Sequence, residues 1–479
     1  MQHEDLNDII QKSRYISADF SRKGNKYDMQ NKSYMIIGLG KSGIALAEYI
    51  HSHKGNVTAY DKNPSESALS QLDKNIPVKT GVFKEEWLEG IDELVLSPGV
   101  PTKLDFIIKA KEKGIRTVGE IEFAYRLCKG KIIAITGTNG KTTTTTLTGE
   151  ILKNAGFDTY VVGNIGNVFV SEVDNIKENS AVVAEISSYQ LESVIDFKPE
   201  ICAILNITPD HLSRHGSMEA YIDAKRACFK NMTGGYIVLN ADNQITSQMD
   251  VCGNKPIYFS TQKILERGAW LDGDMLVINT DGKTENLCLT SELNILGRHN
   301  IENALAASLL AKLYGAPIDA IRRTLKSFMG VEHRIEYCGQ VNGIRFYNDS
   351  KGTNCDSTIK AIQSMPSKTA LILGGFDKGG TFDELFDVID DKIKAITVIG
   401  QTAPLILETA KRYGYENITY CKTFDEAIEK AFKACSSGEN VLLSPACASW
   451  DMFENYEERG KIFKQKAEKL IEENKYILM

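Results

Sequence analysis

The chain has 479 residues, of which 42% are hydrophobic and 25% charged, and its formal net charge is -7. These values are ordinary for a globular protein, and the length indicates about two to four domains that each bury a core. The negative charge, with no basic cluster, argues against nucleic acid as a partner. Ten cysteines without metal-ligand spacing indicate a reducing compartment. The acidic start lacks an apolar leader and no apolar run is long enough to span a membrane, so we predict a cytoplasmic protein.

Residues 1–32 read as a polar extension, and an alternation of strands and helices follows to about residue 128. The runs YMIIG, VTAYD, DELVLSPG and RTVGEI predict parallel strands of a small α/β domain, residues 1–128 with the extension. The first run leads into Gly38-x-Gly40-x-x-Gly43 and an apolar helical pattern. Asp61 ends the second run, near the place where a dinucleotide-binding fold keeps its ribose-binding acid. By pattern alone, this segment matches an NAD site.

A second series of strands begins after residue 128 and lacks polar alternation. The runs IIAIT, TYVVG, AVVAEI, ICAILNIT and YIVLN are typical of parallel strands that are buried on both faces. A hairpin follows in AWLDGDMLVINTDGKTENLCL, with Asp-Gly turns at 272–273 and 281–282. Helices are expected at about 300–314 and 317–328. These elements predict a central domain over residues 129–330.

Near residue 331 the pattern restarts, and TALILGG, AITVIG and NVLLSPA predict a further α/β domain over residues 331–479. The predicted fold class is therefore α/β in three domains. These are a Rossmann-like N-terminal domain, a central domain of the P-loop ATPase type with a mostly parallel sheet, and a Rossmann-like C-terminal domain.

A second glycine loop, from Gly137 to Thr142, follows the strand KIIAIT and opens a helix. The backbone N–H groups of such a loop cradle phosphate oxygens, while Lys141 supplies charge and the Thr142 hydroxyl reaches Mg²⁺. Ile135 stands where the common pattern has glycine, so the motif is a shortened form. The alternative is a tight turn with an exposed lysine, which the flanking strand and helix disfavour. An ATP site at this loop conflicts with an NAD site at the first one.

Acidic and basic side chains follow the next strands of the central domain. Glu185 ends one strand, and Asp210 and His211 follow another, so all three are expected at the sheet edge where open α/β sheets bind ligands. Glu185 is a candidate Mg²⁺ ligand. His211 is either structural or a metal or substrate residue, and the shared edge favours the second interpretation. Lys225 lies mid-helix beside Arg226, and its spacing alone predicts a solvated helix face.

Polar residues also follow elements nearer the C-terminus. Asn300 and Asn303 lie in the first turns of a helix, where they either cap it or present amides to an adenine edge. Loops after the buried strands of the third domain predict a second substrate site. The candidates around these loops are Arg334, Asp349, Lys351, Thr353, Lys378, Ser449 and Tyr456.

Several motifs resemble the Mur ligases and the related folylpolyglutamate synthases, which are ATP-dependent amino-acid ligases. These motifs are, in order, GTNGKTTT, EISSYQLE, NITPDHLSRHG, GRHNIENALAA, EHRIE and NDSKGTN. Within this group, GLGKSG, LSPGVP and SPACASWDMFENYEERG are similar to members that add D-glutamate, and the resemblance covers about residues 34–465. It implies a cytoplasmic step of peptidoglycan synthesis. A monomeric enzyme would join D-glutamate to UDP-N-acetylmuramoyl-L-alanine through an acyl phosphate, with ATP and two Mg²⁺ ions.

The resemblance also implies roles for individual residues. The implied ATP-binding residues are Gly137, Thr138, Asn139, Gly140, Lys141, Thr142, Thr143, Asn300, Asn303, Arg334 and Asp349. The implied residues for the UDP substrate are Gly40, Lys41, Ser42, Asp61, Lys62, Ser97, Gly99, Asn164 and His211. Those for D-glutamate are Lys351, Thr353, Lys378, Ser449 and Tyr456. The implied metal ligands are Thr142, Glu185, His211 and carbamylated Lys225, and the implied catalytic residues are Lys141, Glu185, His211, Lys225 and Lys351.

These implied roles replace two interpretations made from the residues alone. A carbamate on Lys225 would convert a cation into an anionic oxygen ligand, so this lysine is no longer expected on a solvated face. The first glycine loop is expected to hold the diphosphate of a UDP-sugar rather than NAD.

The family also includes an L-alanine-adding member that uses UDP-N-acetylmuramate, and this remains an alternative function. A nucleotide-sensing homologue without turnover is another alternative, although the intact catalytic set argues against it. Two positions depart from the family pattern. Tyr456 stands where some members have phenylalanine, and GGFDKGG differs in register from the GGxGK of some relatives, which leaves the contact made by Lys378 open.

Overall fold

The computed structural model describes residues 29–377 and 379–474, without the side chain of Ser213. Most of the predicted N-terminal extension therefore lies outside the described residues, as does Lys378. The chain divides into two compact units. The first ends at Lys141 and resumes from Leu152 to Tyr258, and the second comprises Thr142–Ile151 and the chain from Phe259 onward.

The first unit opens with a five-stranded parallel sheet. Its strands are β1 (Ser33–Ile37), β2 (Asn56–Asp61), β3 (Val78–Thr80), β4 (Glu93–Leu96) and β5 (Arg116–Gly119). Its helices are α1 (Lys41–Ser52), α2 (Glu66–Gln71), α3 (Asp105–Glu112) and α4 (Glu120–Leu127), with a 3-10 turn at Glu85–Leu88. The strand order is β3-β2-β1-β4-β5, so the order reverses between β1 and β4. Ligands of open α/β sheets bind outside the carboxyl ends of strands at such a point.

Helix α1 packs closely on the strand that precedes it. A side chain at Gly43 would place its Cβ 1.8 Å from the carbonyl oxygen of Gly38, so only glycine fits there. Leu46, Ala47 and Ile50 continue the same face of the helix into the core at helical spacing. The third glycine of the motif therefore serves helix–strand packing, and the first two lie in the turn.

The first unit also contains a second set of five parallel strands, β6 to β10 in chain order. In the sheet they are arranged as β7-β8-β6-β9-β10. They are β6 (Lys131–Thr136), β7 (Thr159–Gly163), β8 (Ala181–Glu185), β9 (Ile201–Ile204) and β10 (Tyr236–Asn240). The accompanying helices are α5 (Lys141–Asn154), α6 (Phe169–Glu172), α7 (Ser188–Leu191), α8 (Leu212–His215), α9 (Met218–Arg226) and α10 (Gln244–Ser247). Strands β8 and β9 are buried at every residue, which confirms their predicted double-sided burial.

Strand β11 (Lys255–Ser260) spans the boundary of the units, and an antiparallel set follows in the second unit. This set is β12 (Gly268–Asp272), β13 (Met275–Asn279) and β14 (Glu285–Leu289). The predicted hairpin is confirmed, but its first turn is centred one residue later, on Gly273 and Asp274, with Gly273 at a φ of 57°. After a 3-10 turn at Thr290–Glu292 come α11 (Arg298–Tyr314) and α12 (Ile318–Ser327), where helices were predicted.

A six-stranded sheet forms the rest of the second unit. Its strands are β15 (Glu336–Val341), β16 (Ile344–Asn348), β17 (Thr369–Leu373), β18 (Ile393–Val398), β19 (Ile418–Tyr420) and β20 (Asn440–Leu443). Its helices are α13 (Cys355–Ser364), α14 (Asp383–Phe386), α15 (Ala403–Arg412), α16 (Phe424–Ala434) and α17 (Tyr456–Asn474). The order is β15-β16-β20-β17-β18-β19, with only β15 antiparallel to its neighbour. The carboxyl ends of β16, β20 and β17 are therefore adjacent.

These sheets confirm the α/β class, whereas the boundaries at residues 128 and 330 stay predictions. None of the described helices has the length and apolar character that crossing a bilayer requires.

Candidate functional site

The first glycine loop is shaped by an acid at the end of the neighbouring strand. Asp61 accepts hydrogen bonds from the backbone N–H of Leu39 at 2.8 Å and of Asn63 at 2.9 Å. Lys41, at the start of α1, donates to the carbonyl oxygen of Gly166 at 3.3 Å. The turn after β4 lies against the loop, since a Cβ at Gly40 would be 3.7 Å from the Ser97 hydroxyl.

The structure thus brings together the predicted residues Gly40, Lys41, Ser42, Asp61, Ser97 and Gly99 at the carboxyl edge of the first sheet. Lys62 follows Asp61 directly and is exposed.

The second glycine loop is held by side chains beneath and beside it. Asn206, which follows β9, accepts from the backbone N–H of Asn139 at 2.8 Å and donates to its carbonyl at 3.1 Å. The Lys141 ammonium folds back on its own loop and donates to the carbonyls of Gly137 at 2.9 Å and Thr138 at 2.8 Å. Gly137 to Lys141 therefore form a turn with a cation on it, as predicted.

Lys225 is buried beneath this loop, not on a solvated face, so the interpretation from spacing alone was wrong. Its side chain is 1% exposed, and its Nζ donates to the Gly137 carbonyl at 2.8 Å and lies 4.5 Å from the ring centre of Tyr221. Burial, followed by the charge of Lys141, holds the pKa of the Lys225 amine well below its usual range. The neutral amine is the nucleophilic form of lysine.

Glu185 lies at the end of β8 with one carboxylate oxygen bound and one unbound. Its Oε1 accepts from the amide of Asn164 at 2.8 Å, and the Asn164 backbone N–H donates to the Glu185 carbonyl at 2.9 Å. Its Oε2 is buried and has no hydrogen-bond partner among the described residues. A buried carboxylate oxygen without a partner is costly unless a cation or donor binds it. The structure therefore brings Asn164 and Glu185 together and leaves one hard oxygen ligand.

His211 is the N-cap residue that precedes α8, and its backbone is left-handed, at a φ of 55°. Its Nδ1 is 3.0 Å from the Tyr189 hydroxyl, and its Nε2 is 3.5 Å from the Asp210 carboxylate. The side chain is 48% exposed, so His211 is accessible at the sheet edge. Tyr189 was not singled out from the sequence, although it lies within the quoted motif EISSYQLE.

In the second unit, the predicted adenine-side amides are engaged with protein groups. Asn303 accepts from the Thr144 hydroxyl at 3.2 Å and donates to Asn300 at 3.0 Å, which itself donates to the Leu296 carbonyl at 2.7 Å. Both asparagines are buried. They tie α11 to α5, and an adenine contact stays a prediction. Thr142 and Thr143, also on α5, are buried.

Arg334 and Asp349 are two groups of opposite charge in the second unit, and the charge of Arg334 acts on the Asp349 carboxyl. Asp349 is buried at the end of β16 and accepts from the Ser444 hydroxyl at 2.7 Å. Burial raises its pKa to about 6, while the charge of Arg334 acts in the opposite direction. The Nε of Arg334 is buried and has no hydrogen-bond partner among the described residues. This guanidinium therefore keeps a donor for an anionic group.

Of the predicted D-glutamate residues, Lys351, Thr353 and Ser449 lie on loops at the carboxyl edge of the last sheet, and Tyr456 lies at the start of α17. The Lys351 ammonium is 3.0 Å from the Thr142 hydroxyl and 5.3 Å from the ring centre of Tyr456, which begins α17. Thr353 is on the same loop as Lys351, and Ser449 follows β20. Lys378 lies outside the described residues, so its contact stays a prediction.

Arg459 was missed from the sequence and joins two of these loops. Its buried guanidinium donates to the carbonyls of Ser350 at 2.7 Å, Cys447 at 3.2 Å and Ala448 at 3.3 Å. A signal was present, because Arg459 precedes Phe463 by one helical turn on the buried stripe of α17. It holds the loop of Lys351 at a fixed distance from the loop of Ser449.

An exposed aromatic pair lies beside Ser449. Trp450 is 63% exposed, and its ring centre is 5.5 Å from that of Phe376. The Phe376 backbone N–H donates to the Ala448 carbonyl at 2.9 Å, which fixes the pair to the loop.

Family models match most of the chain. Residues 32–119 match the Mur ligase MurD-like N-terminal domain, residues 135–311 the Mur ligase middle domain, and residues 333–447 the Mur ligase glutamate ligase domain.

Curated relatives match along nearly their whole length. UDP-N-acetylmuramoylalanine--D-glutamate ligase of Thermoanaerobacter pseudethanolicus is 48% identical, over 91% of this chain and 98% of the relative. The ligase of the same name from Caldicellulosiruptor bescii is 43% identical, over 93% and 99%.

Solved structures share the fold at low identity. UDP-N-acetylmuramate-alanine ligase MurC of Thermotoga maritima aligns over 92% of this chain and 99% of its own, with a TM-score of 0.60 and 18% identity. MurF ligase of the same organism, in complex with ADP, aligns over 93% and 100%, with a TM-score of 0.58 and 14% identity.

Proposed function

We infer that this chain, which belongs to the Mur ligase family, is an ATP-dependent ligase that joins D-glutamate to UDP-N-acetylmuramoyl-L-alanine. The observation that carries this inference is the identity to D-glutamate ligases along almost the whole chain. The reaction belongs to peptidoglycan precursor synthesis. A cytoplasmic location and a monomeric state are part of the proposal.

The reaction needs an activated carboxylate, because a free carboxylate is a poor acylating agent. An oxygen of the alanine carboxylate attacks the γ-phosphorus of ATP, and ADP leaves with the electrons of the broken P–O bond. The D-glutamate amine then attacks the carbonyl carbon of the acyl phosphate. Inorganic phosphate leaves as the tetrahedral intermediate collapses, and the nitrogen loses a proton as the amide forms.

The chain's own residues bind and orient the phosphates in this proposal. The N–H groups of Gly137 to Lys141 cradle them, and the Lys141 ammonium, now on its own loop carbonyls, turns to the β- and γ-phosphates when ATP binds. Thr142, Thr143 and Arg334 are assigned to the phosphates, Asn300 and Asn303 to the adenine side, and Asp349 to the ribose. The buried Arg334 Nε supports a contact with an anion.

We assign the Mg²⁺ ligands to Thr142, Glu185, His211 and carbamylated Lys225. The unpartnered Oε2 of Glu185 fits a hard cation, and the lowered pKa of Lys225 keeps the neutral amine that adds to CO₂. Bound Mg²⁺ supplies charge neutralisation at the phosphates. Asn164 orients Glu185 through its amide.

The two substrate ends are assigned to different loops. The UDP portion is assigned to the first glycine loop and to Asp61, Lys62, Ser97 and Gly99. Asn164 and His211 are assigned to the part of the same substrate that is nearer its reacting carboxylate. Lys351, Thr353, Lys378, Ser449 and Tyr456 bind D-glutamate. Arg459 supports this second assignment because it holds the loops of Lys351 and Ser449 together.

Phosphate release with matched substrate pairs tests the function. We expect ATP- and Mg²⁺-dependent release only with UDP-N-acetylmuramoyl-L-alanine and D-glutamate together. Phosphate release only with the pair of UDP-N-acetylmuramate and L-alanine would instead identify the L-alanine-adding activity. ATP binding without release in any combination would identify a sensor.

A further inference from the structure

Arg214, on α8, has a side chain that is 16% exposed and contacts four groups in the first unit. Its Nη2 donates to the Val100 carbonyl at 3.0 Å and its Nη1 to the Gly99 carbonyl at 3.4 Å. Glu192 binds the other side of the guanidinium, with 2.8 Å between Nη2 and Oε2 and 3.4 Å between Nε and Oε1. The guanidinium carbon lies 4.9 Å from the ring centre of Tyr189. Such a two-sided, stacked arrangement requires a planar fork.

One end of these contacts is the turn that faces the first glycine loop. The Ser97 backbone N–H donates to the Ile37 carbonyl at 2.9 Å, and that of Val100 donates to the Ser97 carbonyl at 3.0 Å. A Cβ at Gly38 would lie 2.8 Å from the Val100 side chain. A shift of the Val100 carbonyl is therefore a shift of the surface to which the UDP portion is assigned.

The other end is the pair of short helices that follow Glu185 and His211. Glu192 also binds His215, with 3.3 Å between Oε1 and Nδ1, and the opposite nitrogen of His215 is 3.0 Å from the Ser188 hydroxyl. Tyr189, over which the guanidinium stacks, contacts His211 through its hydroxyl. Arg214 is thus the residue at which α7, α8 and the turn of residues 97–100 meet.

We propose that Arg214 is a positioning residue that fixes the turn of residues 97–100 to the segments carrying Glu185 and His211. It thereby sets the distance between the site of the UDP portion and the site of the acceptor carboxylate. This inference rests on the proposed function, because it assumes that one substrate spans both sites. The guanidinium contacts no substrate atom in this role. Its effect is on the geometry in which the carboxylate is presented, where small displacements cost rate.

Kinetics of Arg214→Lys test the proposal, since lysine keeps the charge and loses the fork. We expect KM for UDP-N-acetylmuramoyl-L-alanine to rise on the order of tenfold and kcat to fall, while KM for ATP and for D-glutamate changes less than about twofold. Arg116→Lys is the matched control. Arg116 lies at the start of β5, away from the 97–100 turn, and its Nη2 is 2.7 Å from the Oδ2 of Asp196, which lies between β8 and β9. Its replacement should leave each KM unchanged.

Equal rises in all three KM values, or a lower melting temperature with intact kinetics, would show a purely structural role and overturn the proposal. Glu192→Gln provides a second variant, expected to give a smaller rise of the same single KM. Calorimetric binding of the UDP substrate separates this proposal from the function itself. If the wild-type protein binds that substrate without D-glutamate-dependent turnover, the proposed function is wrong. A Kd for the UDP substrate that is raised about tenfold in Arg214→Lys would still support the positioning role. An unchanged Kd would overturn the positioning role.

Discussion

Two glycine loops lie in the first unit, each between a parallel strand and a helix, and their surroundings differ in charge. The loop after β1 is backed by the Asp61 carboxylate, which accepts the Leu39 N–H. The loop after β6 instead has the Lys141 ammonium and the buried Lys225 amine on the single carbonyl of Gly137. The same glycine pattern thus forms two turns of the kind that bind phosphate, and the charged groups packed around the two turns differ.

Among the changes that test this difference between the two loops, removal of the Lys225 amine should have the largest effect on turnover. We expect Lys225→Ala to lower kcat at least ~10²–10³-fold, because the proposed metal site loses the carbamate assigned to Lys225 and the Gly137 carbonyl loses the donor beneath it. Phosphate release measures the loss. Wild type incubated with ¹³C-bicarbonate should also show a carbamate signal by ¹³C NMR that the variant lacks.

The control for this change is Lys230→Ala, which removes another lysine that donates to a backbone carbonyl, that of Val194. It should leave turnover within about twofold of wild type, as surface changes usually do. Turnover of Lys225→Ala at the wild-type level would remove this lysine from the mechanism.

Removing the cation of the first loop should have an intermediate and selective effect. Lys41→Ala is expected to raise KM for the UDP substrate about tenfold, since one charge-assisted contact is lost, and to leave KM for ATP unchanged. Steady-state kinetics measure both values. Lys54→Ala, just beyond the other end of α1, is the control and should change neither. A rise in KM for ATP would mean that the two loops do not bind separate nucleotides.

The smallest effect on turnover is expected from a change at Glu120, which is buried at the start of α4. Its carboxyl group accepts a hydrogen bond at 2.9 Å from the backbone N–H of Val170 in α6. Helix α6 closely follows Gly166, the residue that Lys41 contacts. Burial raises its pKa from 4.5 to about 7. Folding therefore favours the protonated acid, so the contribution of Glu120 to stability is fully present below pH 4.5 and is lost as the pH rises through about 7, by up to about 3 kcal/mol.

Glu120→Gln should remove this decline and keep the acceptor, so denaturant midpoints at pH 5 and pH 8 should move closer together than in wild type. Turnover should change less than about twofold. Glu122→Gln, two residues along the same helix, loses the ion pair with Arg126 and should lower the midpoint at both pH values. If the denaturant midpoint of Glu120→Gln depended on pH as in wild type, Glu120 would not be the group responsible for the loss of stability between pH 5 and pH 8.

The sequence predicted what depends on short stretches of chain. Buried strands, the two glycine loops, the hairpin and the helices at 298–314 and 318–327 were all visible in local patterns. The strands at 78–80, 255–260, 336–341 and 418–420 were not, because runs that include exposed residues carry little hydrophobic signal.

Residues whose role depends on packing were harder to predict. Lys225 has the spacing of a solvated lysine, and only the position of α9 beneath Gly137 buries it. Arg214 acts on carbonyls more than 110 positions earlier in the chain, a separation that no local pattern encodes. The resemblance to a family identified Lys225, whereas Arg214 required the structure.

The chain contains three tryptophans, and they occupy three different environments. Trp87 is half-buried near the first sheet, Trp270 is 5% exposed in β12, and Trp450 is 63% exposed beside Ser449. Their fluorescence should therefore separate by wavelength and by quenching with acrylamide. Trp450 should contribute the red-shifted, readily quenched emission, and it directly follows Ser449 on the loop assigned to D-glutamate, with its ring tilted against that of Phe376. We therefore expect D-glutamate binding at the proposed site to change the Trp450 emission, which can be followed without a label.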